Sequence, residues 1–155
     1  NKKTQLPTTI TVNGQKLVVG KDCIILKKKK SAKKNAGTYK ITIKGIGNYS
    51  GTTTVTYKIK KAEQKIKTSA KAKTYKASTI KKKGKKFNLK TKAIRKKVTY
   101  KVRGKKSAKK YIKVSKKGKV TIKKGIKKGT YKIVIKAKAT KNHKQGKKVV
   151  KITIK

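Results

Sequence analysis

The sequence predicts an all-β protein, and two observations carry that prediction. Apolar residues alternate with lysine and threonine in six separate runs, a period of two that turns one set of side chains inward and the other outward. Turn signals built on glycine and asparagine separate the runs. Helical periodicity is absent nearly everywhere.

In chain order, Thr9-Ile10-Thr11-Val12 and Lys16-Leu17-Val18-Val19 flank Asn13-Gly14, a strong two-residue hairpin signal. Tyr39, Ile41 and Ile43 share one parity with Lys40, Thr42 and Lys44 between them. Gly45-Ile46-Gly47-Asn48-Tyr49-Ser50-Gly51 then separates two strands. Val55, Tyr57 and Ile59 alternate with threonine and lysine. A further strand-like stretch runs from Ile66 to Tyr75. Val98, Tyr100 and Val102 alternate with Thr99, Lys101 and Arg103. Val120 and Ile122 follow the turn Lys116-Lys117-Gly118. Tyr131, Ile133, Ile135, Ala137 and Ala139 form the longest row, after the turn 125–129. Val150, Ile152 and Ile154 close the chain. The inward residues are β-branched or aromatic, as strands prefer.

Composition excludes whole classes of chemistry. The 155 residues hold 53 Lys plus Arg and 2 Asp plus Glu, a net charge of +51. A two-carboxylate hydrolase would need both acids, Asp22 and Glu63, in one site, and an oxygen-ligand cage for Ca²⁺ or Mg²⁺ has no ligands to draw on. One Cys and one His exclude a Cys/His zinc site and a disulfide framework. No apolar run approaches the ~18 residues of a membrane span. The glycine-rich segments 45–51 and 125–129 are turns, not phosphate-binding loops. No catalytic residue, metal ligand or cofactor is nominated, and the chain is expected to be non-catalytic.

High charge with low hydrophobicity usually means disorder, but a disordered polycation would not repeat the alternation six times. The inward rows hold only three to five residues, so each core is expected to be small. A folded chain of this mass exposes roughly 8,000 Å², which sets the charges roughly 12 Å apart, near the Debye length in physiological salt.

The alternation breaks at Lys60-Lys61-Ala62-Glu63-Gln64. This predicts two domains, residues 1–61 and 62–155. The chain opens without Met in a polar stretch and so reads as an excised fragment. No signal peptide or sorting motif is visible in it, although a fragment would lose either.

Three segments of the first domain, Gly20-Lys21-Asp22-Cys23, Asn35-Ala36-Gly37-Thr38-Tyr39 and 45–51, resemble a bacterial immunoglobulin-like repeat. Such repeats occur in tandem in large surface proteins of Gram-positive gut anaerobes. The family usually has Asp-Tyr where Asp22-Cys23 stands, and Thr4-Gln5-Leu6-Pro7 resembles its first strand. The second domain resembles a companion repeat through Gly118-Lys119-Val120-Thr121, Lys124 to Tyr131, and Ala139-Thr140-Lys141-Asn142-His143. There His143 replaces a more usual Tyr. The resemblance implies two tandem immunoglobulin-like β-sandwiches, the first truncated at its N-terminus. It also implies an extracellular place at the bacterial cell surface or wall, and a role in spacing or display. The lysine content exceeds what the family leads one to expect.

The isolated polar residues have ordinary readings. Cys23, in Cys23-Ile24-Ile25-Leu26, reads as a small buried hydrophobe, the alternative being a reactive thiol. His143 fills the space of the family's tyrosine. Asp22 and Glu63 cap turns or pair with lysines. An intramolecular Lys–Asn crosslink, known in some Gram-positive surface domains, needs a buried acid, and neither acid stands in a suitable context. The seven tyrosines read as core or loop residues, and only Tyr75 and Tyr111 are placed loosely enough to stack on a nucleobase.

The lysines remain. They form a diffuse polyanion-binding set at Lys27, Lys28, Lys29 and Lys30, at Lys81, Lys82 and Lys83, and at Arg103, Lys105 and Lys106. Lysine richness alone is compatible with solubility or nucleotide composition, whereas the depletion of acids is harder to explain so. Lysine is a flexible point charge, and with only Arg95 and Arg103 for bidentate base readout, sequence-specific recognition is disfavoured. The expected partners are anionic polymers: wall teichoic acid, anionic glycans, extracellular DNA and anionic lipid. The favoured function is a cationic structural and adhesive spacer. The alternatives are a nucleic-acid binder without sequence preference, an accessory domain of a larger secreted enzyme, or, more weakly, a self-assembling fibre. Lysine-rich strand edges resist edge-to-edge pairing and favour a monomeric module.

Overall fold

The backbone divides into two compact units, Asn1–Ala62 and Glu63–Lys155. The computed structural model describes residues 3–93 and 98–155. Arg95 lies outside the described residues.

The first unit opens with a hairpin, β1 (Thr9–Val12) and β2 (Gln15–Val18). Asn13 and Gly14 both take positive φ, 48° and 81°, the requirement of a type I′ turn. The register pairs Thr9 with Val18 and Val12 with Gln15. Strands β3 (Cys23–Ile25), β4 (Gly37–Gly45) and β5 (Thr52–Ile59) form an antiparallel sheet in that order. One helical turn, α1 (Lys28–Ser31), links β3 to β4. Alternation puts Ile41 and Ile43 inward, where they share one core with Cys23, Ile25 and the hairpin's Ile10 and Leu17. Asp22 closes the turn before β3: its Oδ2 accepts from the Val18 N–H at 2.8 Å, and its own N–H donates to the Val18 carbonyl.

The second unit contains β6 (Ile66–Lys67), β7 (Ala72–Tyr75), α2 (Ala77–Lys82), β8 (Lys85–Asn88) and β9 (Lys92–Ala93). These are followed by β10 (Val98–Arg103), α3 (Ala108–Tyr111), β11 (Ile112–Val114), β12 (Lys119–Ile122), β13 (Gly129–Ala137) and β14 (Gly146–Ile154). A four-stranded sheet runs β10-β13-β14-β7, a three-stranded sheet β11-β12-β8, and β6 pairs with β9. All described pairings are antiparallel except β14 with β7. Tyr131, Ile133, Ile135, Val150 and Ile152 on the larger sheet share one core with Ile112, Val120 and Ile122 on the smaller. Among the described residues, sixteen buried ones form this core against six in the first unit. Each fully buried aliphatic side chain contributes about 1.5–3 kcal/mol, so the second unit has the larger hydrophobic contribution to its folding. In the turn before β12, Gly118 has φ 80°, and a Cβ there would stand 2.8 Å from the Tyr100 hydroxyl.

The protein is thus all-β in class, with local departures from the expected runs. The stretch from Ile66 to Tyr75 is two strands. The Thr68 hydroxyl and the Ser69 N–H both donate to the Leu89 carbonyl, which turns the chain between sheets. Ala139 is exposed, and its row stops at Ala137, because buried Gln64 takes the Lys138 carbonyl at 2.9 Å and Thr140 bonds His143 to close a loop. Among the described residues, three short helices occur where no periodicity announced them. Lysine does not guard every edge: β5, at the margin of its sheet, carries only Lys58.

Strands β4 and β13 open alike, Gly37-Thr38-Tyr39-Lys40-Ile41 and Gly129-Thr130-Tyr131-Lys132-Ile133. The Tyr39 hydroxyl donates to the Asn35 carbonyl at 2.9 Å, and that of Tyr131 to the Lys127 carbonyl at 2.8 Å. Each phenol pins the chain four residues upstream and fixes its entry into the strand. Tyr131→Phe keeps the packing and deletes the bond. It should cost about 1 kcal/mol and lower the melting temperature of this unit by about 4–8 °C, as read by thermal unfolding. An unchanged melting temperature would show that the bond contributes nothing net.

Candidate polyanion-binding surface

The alternation that buries the apolar rows presents their partners to solvent. On the outer face of the four-stranded sheet, the register sets these partners into rows across β10, β13 and β14. Arg103 lies opposite Lys132, which lies opposite Lys151. Two residues along, Lys101, Val134 and Val149 form the second row. Thr99, Lys136 and Lys147 form the third. All six cations are exposed, and the face holds no acid. Directly opposed side chains start about 5 Å apart, and like charges so placed destabilise a sheet. Long lysine stems let the ammonium groups splay but do not remove the charge.

The residues nominated from sequence fall in three places. Lys27 takes a left-handed conformation, φ 52°, and Lys28, Lys29 and Lys30 follow on α1, all exposed. Lys27 and Lys30 also border a depression of about 420 Å³ with Lys33 and Lys40. In the second unit, Lys81 and Lys82 end α2 and Lys83 follows. Lys81 joins Lys76, Lys127, Lys128 and Lys155 around an open hollow of about 750 Å³, floored by Ala77 and Ile126. Arg103 is a corner of the cation grid, and Lys105 and Lys106 continue from it. Sequence reasoning missed Lys101, Lys132, Lys136, Lys147 and Lys151 as a group. Their outward parity was visible, but the register that aligns them was not.

The two acids barely offset this. Glu63 Oε1 pairs with Lys144 Nζ at 2.7 Å, with both side chains mostly exposed, so the pair contributes well under about 1 kcal/mol. Asp22 is spent on the Val18 N–H. At most two of the 53 cations can therefore be neutralised inside the chain. The exposed surface is 11553 Å², larger than a single domain of this mass exposes, so the net charges stand roughly 15 Å apart on average. The grid is far denser than that average.

The other polar residues do structural work. Cys23 is fully buried; burial first, then the adjacent Asp22 carboxylate, pushes its thiol pKa up, away from the reactive thiolate. The Thr140 hydroxyl sits 3.2 Å from His143 Nδ1 and accepts from the His143 backbone N–H, holding the loop. Among the described residues, no three His, Cys, Asp or Glu side chains gather to hold a metal ion. No described helix is long and apolar enough to cross a membrane. Tyr75 and Tyr111 both pack against the core, and Lys110 Nζ lies 5.8 Å from the Tyr111 ring centre. Neither ring is a free stacking platform.

Compared with known proteins, the chain matches no family model and no curated protein sequence.

Proposed function

We propose that this chain is a non-catalytic, cationic adhesive spacer of a bacterial surface or secreted protein, made of two tandem immunoglobulin-like units that bind anionic polymers electrostatically. The observation that carries the binding function is the outer face of the four-stranded sheet. It sets six cations on one face without an acid among them, five of them in direct cross-strand register with another cation, and a bound polyanion would relieve the repulsion within those rows. The immunoglobulin-like assignment is supported by the matched tyrosine locks on β4 and β13, which resemble the tyrosine corner of such sandwiches, and by the core shared between two sheets of the second unit.

Lysine dominates the surface, so binding follows charge density more than base identity or sugar stereochemistry. Teichoic acid, sulfated or sialylated glycans, DNA and anionic vesicles are therefore expected to bind with similar affinity. The test measures binding of the chain to duplex DNA, wall teichoic acid, heparin and anionic vesicles across a salt series. Affinities that fall together by a few hundred millimolar salt support the adhesive spacer. Binding to DNA alone that outlasts the others favours a dedicated nucleic-acid binder. No binding near physiological salt sinks both.

A further inference from the structure

We infer that the first unit carries a second binding site, of opposite chemistry: a pocket for a neutral carbohydrate, with an uncharged lining, at the pole where its β1–β2 and β4–β5 turns meet. In a chain where Lys and Arg make up 53 of 155 residues, residues 4–15 and 45–57 carry no charged side chain at all. These stretches are far apart in sequence, yet the fold brings the β1–β2 turn beside the β4–β5 turn. Between them lies a pocket of about 360 Å³, large enough for one or two hexose units. None of its lining residues is charged, whereas the depressions described above hold four and five lysines.

The lining matches what a sugar needs. Asn13 and Gln15 offer amides, and Ser50, Thr52 and Thr53 offer hydroxyls, each able to donate and to accept. Tyr49, partly buried against the unit's core, contributes its ring and hydroxyl to the lining. Gln15 Nε2 donates to the Tyr49 hydroxyl at 2.8 Å, which holds the ring and the amide in a fixed relation. Beneath the lining lie the buried apolar side chains of Leu17, Cys23 and Ile43. An anionic ligand finds no cation in this lining, and a purely apolar one would strip water from five polar side chains without replacing it.

The pole is also clear of the unit's own chain ends. Gln5 pairs with Lys33, and the Tyr57 hydroxyl donates to the Ser31 carbonyl at 2.7 Å. Both the entry into the unit and the exit beyond β5 therefore lie at the opposite pole. The site stands independently of the polyanion function.

The test titrates the isotope-labelled full chain with cellobiose, maltotriose and lactose to tens of millimolar, and follows backbone amide shifts. The expected result is saturable shifts confined to residues 12–17 and 45–53 for at least one sugar, with a Kd that does not move between low and high salt. Gln15→Ala and Thr53→Ala alter exposed side chains outside the core and should each weaken binding about 3- to 10-fold. Tyr49→Phe, which keeps the ring, should weaken it no more than either. No shifts with any of the three sugars would overturn the proposal. So would shifts spread along β5 into residues 54–59, which mark strand addition at an open edge, or a response only to charged sugars that salt abolishes.

Discussion

Heparin at a hundredfold excess over its Kd should raise the melting temperature of the second unit by about 10 °C at fixed ionic strength. A ligand that binds only the folded state at that ratio adds about 2.7 kcal/mol, and 1 kcal/mol moves a domain of this size by about 4–8 °C. The upper part of that range is not expected, because the unfolded chain is a polycation too and binds heparin itself. Folding adds register: Arg103, Lys132 and Lys151, and likewise Lys136 and Lys147, are held side by side across neighbouring strands. Simple salt should act in the same direction by another route. At ~0.01 M the Debye length is about 30 Å, and at physiological strength about 8 Å, so charges roughly 15 Å apart pass from coupled to screened. The first unit has the smaller core and should melt first, giving two transitions that heparin moves unequally. Calorimetry over salt and heparin series reads both effects. A second-unit transition that neither moves would show that the grid is neither strained nor a binding face.

The parts legible in sequence were those that depend on neighbours one and two residues away. The inward parity of Tyr39, Ile41 and Ile43, and of Tyr131, Ile133 and Ile135, is a property of the strand itself. The Asn13-Gly14 turn needs only positive φ at both positions. What stayed hidden depends on partners distant in sequence. The break after Lys67 is made by the Leu89 carbonyl, 21 residues from Thr68, and the end of β13 by Gln64, 74 residues from Lys138. Helices of four to six residues are too short to show a period. For the candidate surface, parity placed the lysines outside, but only strand register shows that Lys132 faces Lys151 while Lys101 faces Val134. The runs Lys27 to Lys30 and Lys81 to Lys83 drew attention because they are contiguous, whereas the cross-strand cluster is scattered over three strands. The uncharged stretches 4–15 and 45–57 are equally plain in sequence, and only the fold shows that they meet.

Replacing Lys132, Lys136, Lys147 and Lys151 together by Gln should weaken DNA binding about a thousand-fold at physiological salt and lower the salt slope by about 3.6, if each lysine neutralises one phosphate. The same variant should be more stable than the parent by about 1–2 kcal/mol in dilute buffer, because three like-charged pairs across the ladder disappear, each worth about 0.2–1 kcal/mol. Opposite signs in affinity and stability distinguish a strained binding face from a damaged one, since a misfolded variant would lose both. The matched control replaces Lys27, Lys28, Lys29 and Lys30 by Gln. It removes the same formal charge from a helical turn whose side chains face solvent, where no fixed row exists to be relieved or matched. Its affinity loss should be at least tenfold smaller and its stability nearly unchanged. Equal losses in the two variants would mean that the chain responds only to total charge, and that the alignment across β10, β13 and β14 has no part in binding.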